Sequence, residues 1–230
     1  KWCGLDNQDY ALKVSCKTIY SFDEKFGDFS NYWGLTEEEK LPEVEFKIVA
    51  YDFGIKFNIL RSLRLNGIKS IVVPANTPAE EVLKFKSDGL FLSNGPADPA
   101  AVTYAINNSK TLIGKLPIMG ICLGHQILAI ASGAKTSRIK FGHHGCNHTV
   151  KNIATNSVEI TSQNHNFAVE YDSIKNTPLE ISHINLNDNS VEGIVHRKEP
   201  MFAVQYHPES SPGPHDSSYL FKQFKELMRR

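Results

Sequence analysis

Between Leu116 and Gly133 the chain reads LPIMGICLGHQILAIASG. An apolar run stops at Cys122, Gly120 and Gly124 flank it, and a helical pattern starts at once. A strand that turns directly into a helix needs small neighbours at the apex, so that the backbone can bend tightly beneath the apical side chain. The N–H groups that follow open a helix, where partial positive charge favours a thiolate and an oxyanion. The stretch therefore demands a strand–elbow–helix unit and makes Cys122 a candidate nucleophile.

The residues before the elbow fit that demand. Phe46–Tyr51 reads as an apolar strand, and Phe57–Asn66 as a helix whose Ile59, Leu60, Leu63 and Leu65 give it a buried face, with Gly67 at its C-terminal cap. Ser70–Val73 is a second strand, followed by a helix capped by Thr77 with Pro78 in its first turn. Gly89–Ser93 is a third strand, opening into the loop Asn94–Pro99, and Ala100–Asn107 a further helix. Beyond the elbow, 157–161, 179–184, 191–195 and 202–206 are short alternating segments, and an amphipathic helix starts near Ser217. The pattern predicts an α/β fold with a mostly parallel central sheet, helices on both faces, and extra antiparallel strands in the C-terminal half. Ligands of such sheets bind at the carboxyl ends of the strands, which puts Cys122 and the Asn94–Pro99 loop on one rim.

Residues 1–44 are rich in aromatics and poor in periodicity, and read as a linker or tail with one strand near Ala11–Cys16; Glu37–Glu39 and Pro42 mark its end. The chain opens on Lys1 rather than a Met, which suggests that its first residues belong to something larger. With 41% hydrophobic residues in 230, one substantial core and an appendage are expected. Basic and acidic residues balance at 25 each, so nothing favours nucleic acid or an anionic membrane. Apolar runs stop well short of the roughly 20 residues a bilayer span needs, and a cytoplasmic location is the default. Cys3, Cys16, Cys122 and Cys146 are too irregularly spaced for a disulfide framework, so reduced thiols are expected.

A cysteine nucleophile needs a base and a group that orients it. Tyr206-His207-Pro208-Glu209 offers both, since residues two apart in extended backbone project to the same side. His207 would take and return the thiol proton while Glu209 fixes its tautomer. The competing reading of this triplet is a plain turn. His143, His144, Cys146 and His148 raise a zinc hypothesis, but no second ligand pair with the usual spacing accompanies them, and a surface loop is the preferred reading with no metal. His125 is expected to pack rather than to act as base, and Gln126, one turn past Cys122, to reach a substrate.

GICLGHQ together with VQYHPE resembles the class I glutamine amidotransferases, enzymes with a Cys-His-Glu triad that hydrolyse glutamine and pass ammonia to a synthetase. YDFGIKFNILRSL, LSNGPADP, SGAKTSRIKFGHHGCNH, TSQNHNFAV and ESSPGPHDSSYLF narrow the resemblance to the small, glutamine-hydrolysing chains of carbamoyl phosphate synthetases. It covers about Glu45 to Arg230. It implies Cys122 as nucleophile, His207 as acid and base, and Glu209 as its orienting partner. It further implies a glutamine pocket lined by the backbone of Gly95, Ala97 and Leu123, the side chain of Gln126, and Asn164, Asn166 and Phe167, with the Leu123 and Ala97 N–H groups as oxyanion donors. Residues 45–230 would be the amidotransferase domain, and 1–44 the tail of a mostly missing N-terminal domain with its connecting segment. The implied partners are L-glutamine and a large carbamoyl phosphate synthetase chain, which would hold ATP and Mg²⁺; this chain has no G-x-x-x-x-G-K-[ST] loop of its own. Ala97, Asn166 and Cys146 stand where the family usually has Gly. A positive φ at position 97 would cost Ala about 1 kcal/mol. Two alternatives follow: a catalytically weak scaffold that regulates a synthetase, or the glutaminase unit of a different synthetase.

Overall fold

The computed structural model describes residues 4–22 and 41–229; Cys3, the acidic marker at 37–39 and most of the early aromatics lie outside them. Its elements are α1 (Ala11–Val14), β1 (Tyr20–Phe22), β2 (Phe46–Asp52), α2 (Phe57–Leu65), β3 (Ile68–Pro74), α3 (Ala79–Lys84), β4 (Gly89–Leu92), α4 (Thr103–Leu112), β5 (Ile118–Ile121), α5 (Leu123–Ala131), β6 (Thr136–Asn152), β7 (Val158–Val169), β8 (Leu179–Asn185), β9 (Val191–His196), β10 (Met201–Val204) and α6 (Tyr219–Met228).

All ten strands join one sheet in the order β1-β3-β2-β4-β5-β10-β9-β7-β6-β8, with β8 also pairing back to β9. The sheet is mixed rather than mostly parallel. Parallel pairing runs from β3 through β2, β4 and β5 to β10. Every other pairing of named strands is antiparallel, including β1 on β3 and the whole block from β10 onward. The physical reason is the connections. Helices α2 to α4 cross between β2, β3, β4 and β5, whereas β6 to β10 are joined without α-helices, by turns and one 3-10 segment at Tyr171–Asn176, and only strands joined without a crossover helix readily lie antiparallel.

Alternation along the parallel strands splits the core in two. Val49, Tyr51, Leu90, Leu92, Ile118 and Ala203 face one side with α3, α4 and α5. Ile48, Ala50, Phe91, Met119, Ile121 and Val204 face the other with α2 and α6. Period-2 alternation and two apolar faces are what a strand covered by helices on both sides requires.

Three local expectations are corrected. Residues 11–14 form a single helical turn instead of a strand, with Leu12 N–H donating to the Asp9 carboxylate at 3.1 Å. Ala-Leu-Lys favours helix, and a capping acid starts it. Thr77 does not cap α3, because its hydroxyl donates to Pro74 O at 2.8 Å; the Ala79 N–H instead donates to Asn108 Oδ1 on α4 at 3.2 Å. Finally, 143–148 is no surface loop but part of β6, whose hairpin with β7 is the most extensive antiparallel pairing in the sheet.

Candidate active site

Register delivers the chemistry to one edge. Parallel pairing aligns Leu92 with Gly120 and Ile121 with Val204, so the residues after β4, β5 and β10 emerge together. Cys122 N–H donates to Val204 O at 2.9 Å, and Gly124 N–H to Ser93 O at 3.1 Å, pinning the elbow to both neighbouring strand ends. Cys122 has φ 54° and ψ −103°, a strained conformation for a residue that carries a Cβ. Gly124 must be glycine, since a Cβ there would stand 2.2 Å from Leu92 O.

The Asn94–Pro99 loop is held from below. Asn94 Oδ1 accepts from Lys56 N–H at 3.1 Å, and the Asp98 carboxylate accepts from Ala100 N–H at 3.0 Å and Asn7 N–H at 2.8 Å. Asp98 N–H donates to Gln8 O at 3.0 Å, within a bridge that pairs Asp9 with Ala97. The N-terminal segment thus braces this loop, and Leu5 lines the same cavity as Cys122. Ala97 is not among the residues with positive φ, nor is Asn166, so neither departure from Gly strains the backbone.

A cavity of about 610 Å³ opens over Cys122. Gly95, Ala97, Gln126, Asn164, Asn166, Phe167 and His207 line it. Leu123 is the first residue of α5, its side chain buried in the core; at that position its N–H has no intrahelical acceptor. Glu209 lies beneath His207, fully buried. Every residue expected at the site is therefore at the cavity or directly behind it.

His207 and Glu209 meet through a turn and not through extended backbone. Ser210 N–H donates to His207 O at 3.0 Å, closing a four-residue turn with Pro208 at its second position, where proline's fixed φ suits it. The triplet is a turn, and that turn brings His207 Nδ1 within 2.7 Å of Glu209 Oε1. His207 N–H donates to Ser162 O at 2.9 Å, tying the turn to β7.

The electrostatics follow from burial and proximity. Burial disfavours the imidazolium of His207, but the Glu209 carboxylate and then the Cys122 sulfur outweigh it and raise the pKa. Burial pushes the Glu209 carboxyl up, yet the charge of His207 and then the Lys56 ammonium hold it below its ordinary value. With Nδ1 engaged by Glu209, Nε2 is the nitrogen left for proton exchange; it is buried and makes no hydrogen bond, to the Cys122 sulfur or to any other described atom. Cys122 Sγ also lies 3.9 Å from Asn164 O.

Lys56 and Asn58 carry no motif that marks them. Lys56 Nζ sits 2.9 Å from Glu209 Oε1 and donates to Ser210 O at 2.7 Å. Asn58 Nδ2 donates to Glu209 O and to Ser211 Oγ. Both stand at the start of α2, far in sequence from the turn they hold, and only the fold reveals them.

The four residues of the zinc hypothesis do not converge. His143 Nε2 is 2.8 Å from Asp188 Oδ2, His144 Nδ1 is 3.0 Å from Asn164 Oδ1, and Cys146 Sγ is 3.6 Å from Pro212 O. Among the described residues the one cluster of metal-ligating types is His143, His165 and Glu192, all buried, with ligand atoms within 4.8 Å of one another. Glu192 there already accepts from Gln163 at 2.9 Å and Asn185 at 2.8 Å, and His165 Nδ1 lies 2.7 Å from Phe167 O. These bonds tie the cluster into the buried polar residues under β7, and His143 Nδ1 is left without a hydrogen-bond partner.

The chain has counterparts among known proteins. A family model described as "Glutamine amidotransferase class-I" matches residues 49–227. A carbamoyl phosphate synthase small chain of Syntrophotalea carbinolica is 52% identical over 229 residues, 99% of this chain and 59% of that protein. The protein of the same description from Chlorobaculum tepidum is 59% identical over 192 residues, 82% of this chain and 52% of that one. The chain spans about half the length of the curated relatives it matches. A solved structure from Thermoplasma acidophilum, described as a putative GMP synthase component, superposes with a TM-score of 0.68 at 23% identity, covering 80% of this chain and 94% of that one. At that identity it shows the fold alone. No described helix is long and apolar enough to cross a membrane. From the length of the family match and the identity to these relatives, the chain belongs to the class I glutamine amidotransferases.

Proposed function

We propose that the chain is the glutamine-hydrolysing component of a carbamoyl phosphate synthetase. The observation that carries this reading is Cys122, held at a strained elbow in one cavity with His207, which is buried and paired with Glu209 behind it. The names of its relatives point the same way.

The chemistry follows from the placement of the groups. L-Glutamine occupies the cavity between Gly95 and Ala97 on one side and Gln126, Asn164, Asn166 and Phe167 on the other. His207 takes the thiol proton, and the Cys122 sulfur attacks the side-chain amide carbon. The Leu123 and Ala97 N–H groups face the developing oxyanion; losing one such donor typically costs about 3 kcal/mol of transition-state stabilisation. His207 returns the proton to the leaving nitrogen, and ammonia departs. Water deprotonated by His207 then cleaves the γ-glutamyl thioester to glutamate. Glu209 keeps the ring oriented throughout, and Lys56 keeps Glu209 ionised.

Free ammonia in neutral water is mostly ammonium, which is not nucleophilic, so delivery to a large synthetase chain holding ATP and Mg²⁺ completes the reading. Residues 45–230 are the amidotransferase domain in this account, and residues 1–44 the tail of an N-terminal domain with its connecting segment, of which β1 joins the sheet. Reduced cysteines suit the cytoplasm. The scaffold alternative drew support from Ala97 and from the missing N-terminal domain; the non-positive φ at Ala97 takes away the first of these only.

The assembled enzyme provides the test. Cys122→Ser abolishes carbamoyl phosphate synthesis from glutamine while synthesis from added ammonia persists. Loss of both activities, or retention of both, overturns the assignment.

A further inference from the structure

Two histidines beneath the cavity set both of their ring nitrogens against acceptors, and a neutral ring has a proton for only one. His143 on β6 and His165 on β7 are cross-strand partners with ring centroids 4.8 Å apart. They are 7% and 5% exposed, and Glu192 on β9 is fully buried beside them.

His165 Nδ1 lies 2.7 Å from Phe167 O, which only accepts, so Nδ1 carries the proton. Its Nε2 lies 2.9 Å from Gln163 Oε1. The Gln163 amide is fixed in that orientation, because its Nε2 donates to Glu192 Oε2 at 2.9 Å and to Thr161 Oγ1 at 3.1 Å. The Thr161 hydroxyl uses its own hydrogen on His148 O at 3.0 Å and can only accept from Gln163. Nε2 of a neutral His165 therefore meets an oxygen lone pair with a lone pair of its own.

His143 repeats the problem. Its Nε2 donates to Asp188 Oδ2 at 2.8 Å, and its Nδ1, 3.4 Å from Glu192 Oε1, makes no hydrogen bond. Protons would relieve both conflicts, and the Glu192 and then the Asp188 carboxylate do raise the His143 pKa against its burial. Two imidazoliums side by side would then crowd one buried carboxylate, and like charges in a buried site oppose each other. One divalent cation replaces both protons and is met by all of these atoms.

The outward contacts are those of a metal site. Ligating histidines hold their second nitrogen with a carboxylate or a backbone carbonyl, as Asp188 and Phe167 O do here. Ligating carboxylates are themselves hydrogen-bonded, as Glu192 is by Gln163 and Asn185. Zinc bonds of about 2.0–2.1 Å in a tetrahedron separate the ligand atoms by roughly 3.4 Å. His143 Nδ1 and Glu192 Oε1 already stand 3.4 Å apart, and the ligand atoms of His143, His165 and Glu192 all lie within 4.8 Å of one another. The widest pair closes by roughly 1.4 Å at most to complete the set.

We propose that His143 Nδ1, His165 Nε2, the Glu192 carboxylate and Gln163 Oε1 form a structural zinc site that ties β6, β7 and β9 together beneath the cavity. All four donors come from protein, so the ion is closed to substrate and takes no part in turnover. Through His165 it holds the Phe167 carbonyl, to which Gln126 also donates. The site stands whether or not the chain hydrolyses glutamine.

The test uses the full chain carrying Cys122→Ala, so that the nucleophile's sulfur does not compete for metal, with zinc sulfate as the probe. Stripped by a chelator and dialysed, the chain takes up one zinc, counted by elemental mass spectrometry. X-ray absorption at the zinc edge gives nitrogen and oxygen neighbours at about 2.0–2.1 Å, imidazole scattering and no sulfur. Asp188→Asn alters a side chain that is 44% exposed and weakens zinc binding about 10- to 100-fold in chelator competition. Glu192→Gln weakens it at least as much. Zinc raises the urea midpoint of the Cys122→Ala chain and not that of the chain also carrying Glu192→Gln. Failure to take up one zinc per chain, sulfur bound to the ion, or an affinity indifferent to both substitutions overturns the proposal. Nitrogen NMR showing His143 and His165 doubly protonated in zinc overturns it as well, since protons would then fill the site. The absorption spectrum needs no substitution at the site, so a variant that fails to fold leaves the question decided.

Discussion

His207 Nδ1 lies 2.7 Å from Glu209 Oε1, and both side chains are buried. Their separation of two residues is spanned by a proline turn whose backbone is tied to Ser162, and the carboxylate is further held by Lys56. The pair is thus anchored from β7 and α2 at once, which fixes the orientation of the ring.

Glu209→Gln removes the charge that raises the His207 pKa. Burial then dominates, the ring is neutral, and glutamine hydrolysis falls about 10²- to 10⁴-fold. The stability difference between the parent and this variant depends on pH in a defined direction. His207 has a raised pKa when folded, so its contribution is complete below its unfolded value and fades as pH rises through the folded one. Glu209 has a lowered pKa, so its contribution is present above its unfolded value and fades as pH falls through the folded one. The gap in urea midpoints is widest between those limits and closes on both sides. A gap that does not change with pH contradicts the pairing.

Lys56→Met withdraws a charge that helps keep Glu209 ionised. The carboxyl pKa rises, and the acid limb of the kcat/KM profile moves to higher pH while the plateau falls modestly. An acid limb that stays in place would mean that Lys56 serves the turn only through Ser210 O.

Ala97→Gly returns a residue usual in the family to a position that has no need of it. With no positive φ at Ala97, glycine adds only backbone freedom; the KM for glutamine stays within about twofold and stability drops by roughly 0.5–1 kcal/mol. Gly124→Ala is the contrasting variant. Its Cβ would stand 2.2 Å from Leu92 O, and overpacking of this kind costs about 1–3 kcal/mol or more. Chemical denaturation of the two variants separates a tolerated position from a forbidden one; comparable losses at both would contradict the geometry.

The parallel strands are legible in the sequence because Val49, Tyr51 and Leu92 alternate with Ile48, Ala50 and Phe91, and both sets are apolar. The hairpin of β6 and β7 is not. Its inward positions on β7 include Glu159, Thr161, Gln163 and His165, all buried, so the usual contrast between core and surface is inverted where the polar network lies. An expectation built on apolar alternation stops at Thr161 for that reason. Cys122, His207 and Glu209 are legible because chemistry restricts which residues can fill such roles. Lys56 and Asn58 hold Glu209 and its turn, and many side chains could do that elsewhere in a chain; only the contacts identify them.

The central claim is that Cys122 carries the glutamyl group. Acid quenching during glutamine turnover, followed by mass spectrometry of the intact chain and its peptides, tests it directly. The account predicts a species heavier by one γ-glutamyl group, located on the peptide that contains Cys122 and absent from Cys122→Ser. Turnover that accumulates an adduct on Cys146, or one that persists in Cys122→Ser, would contradict it.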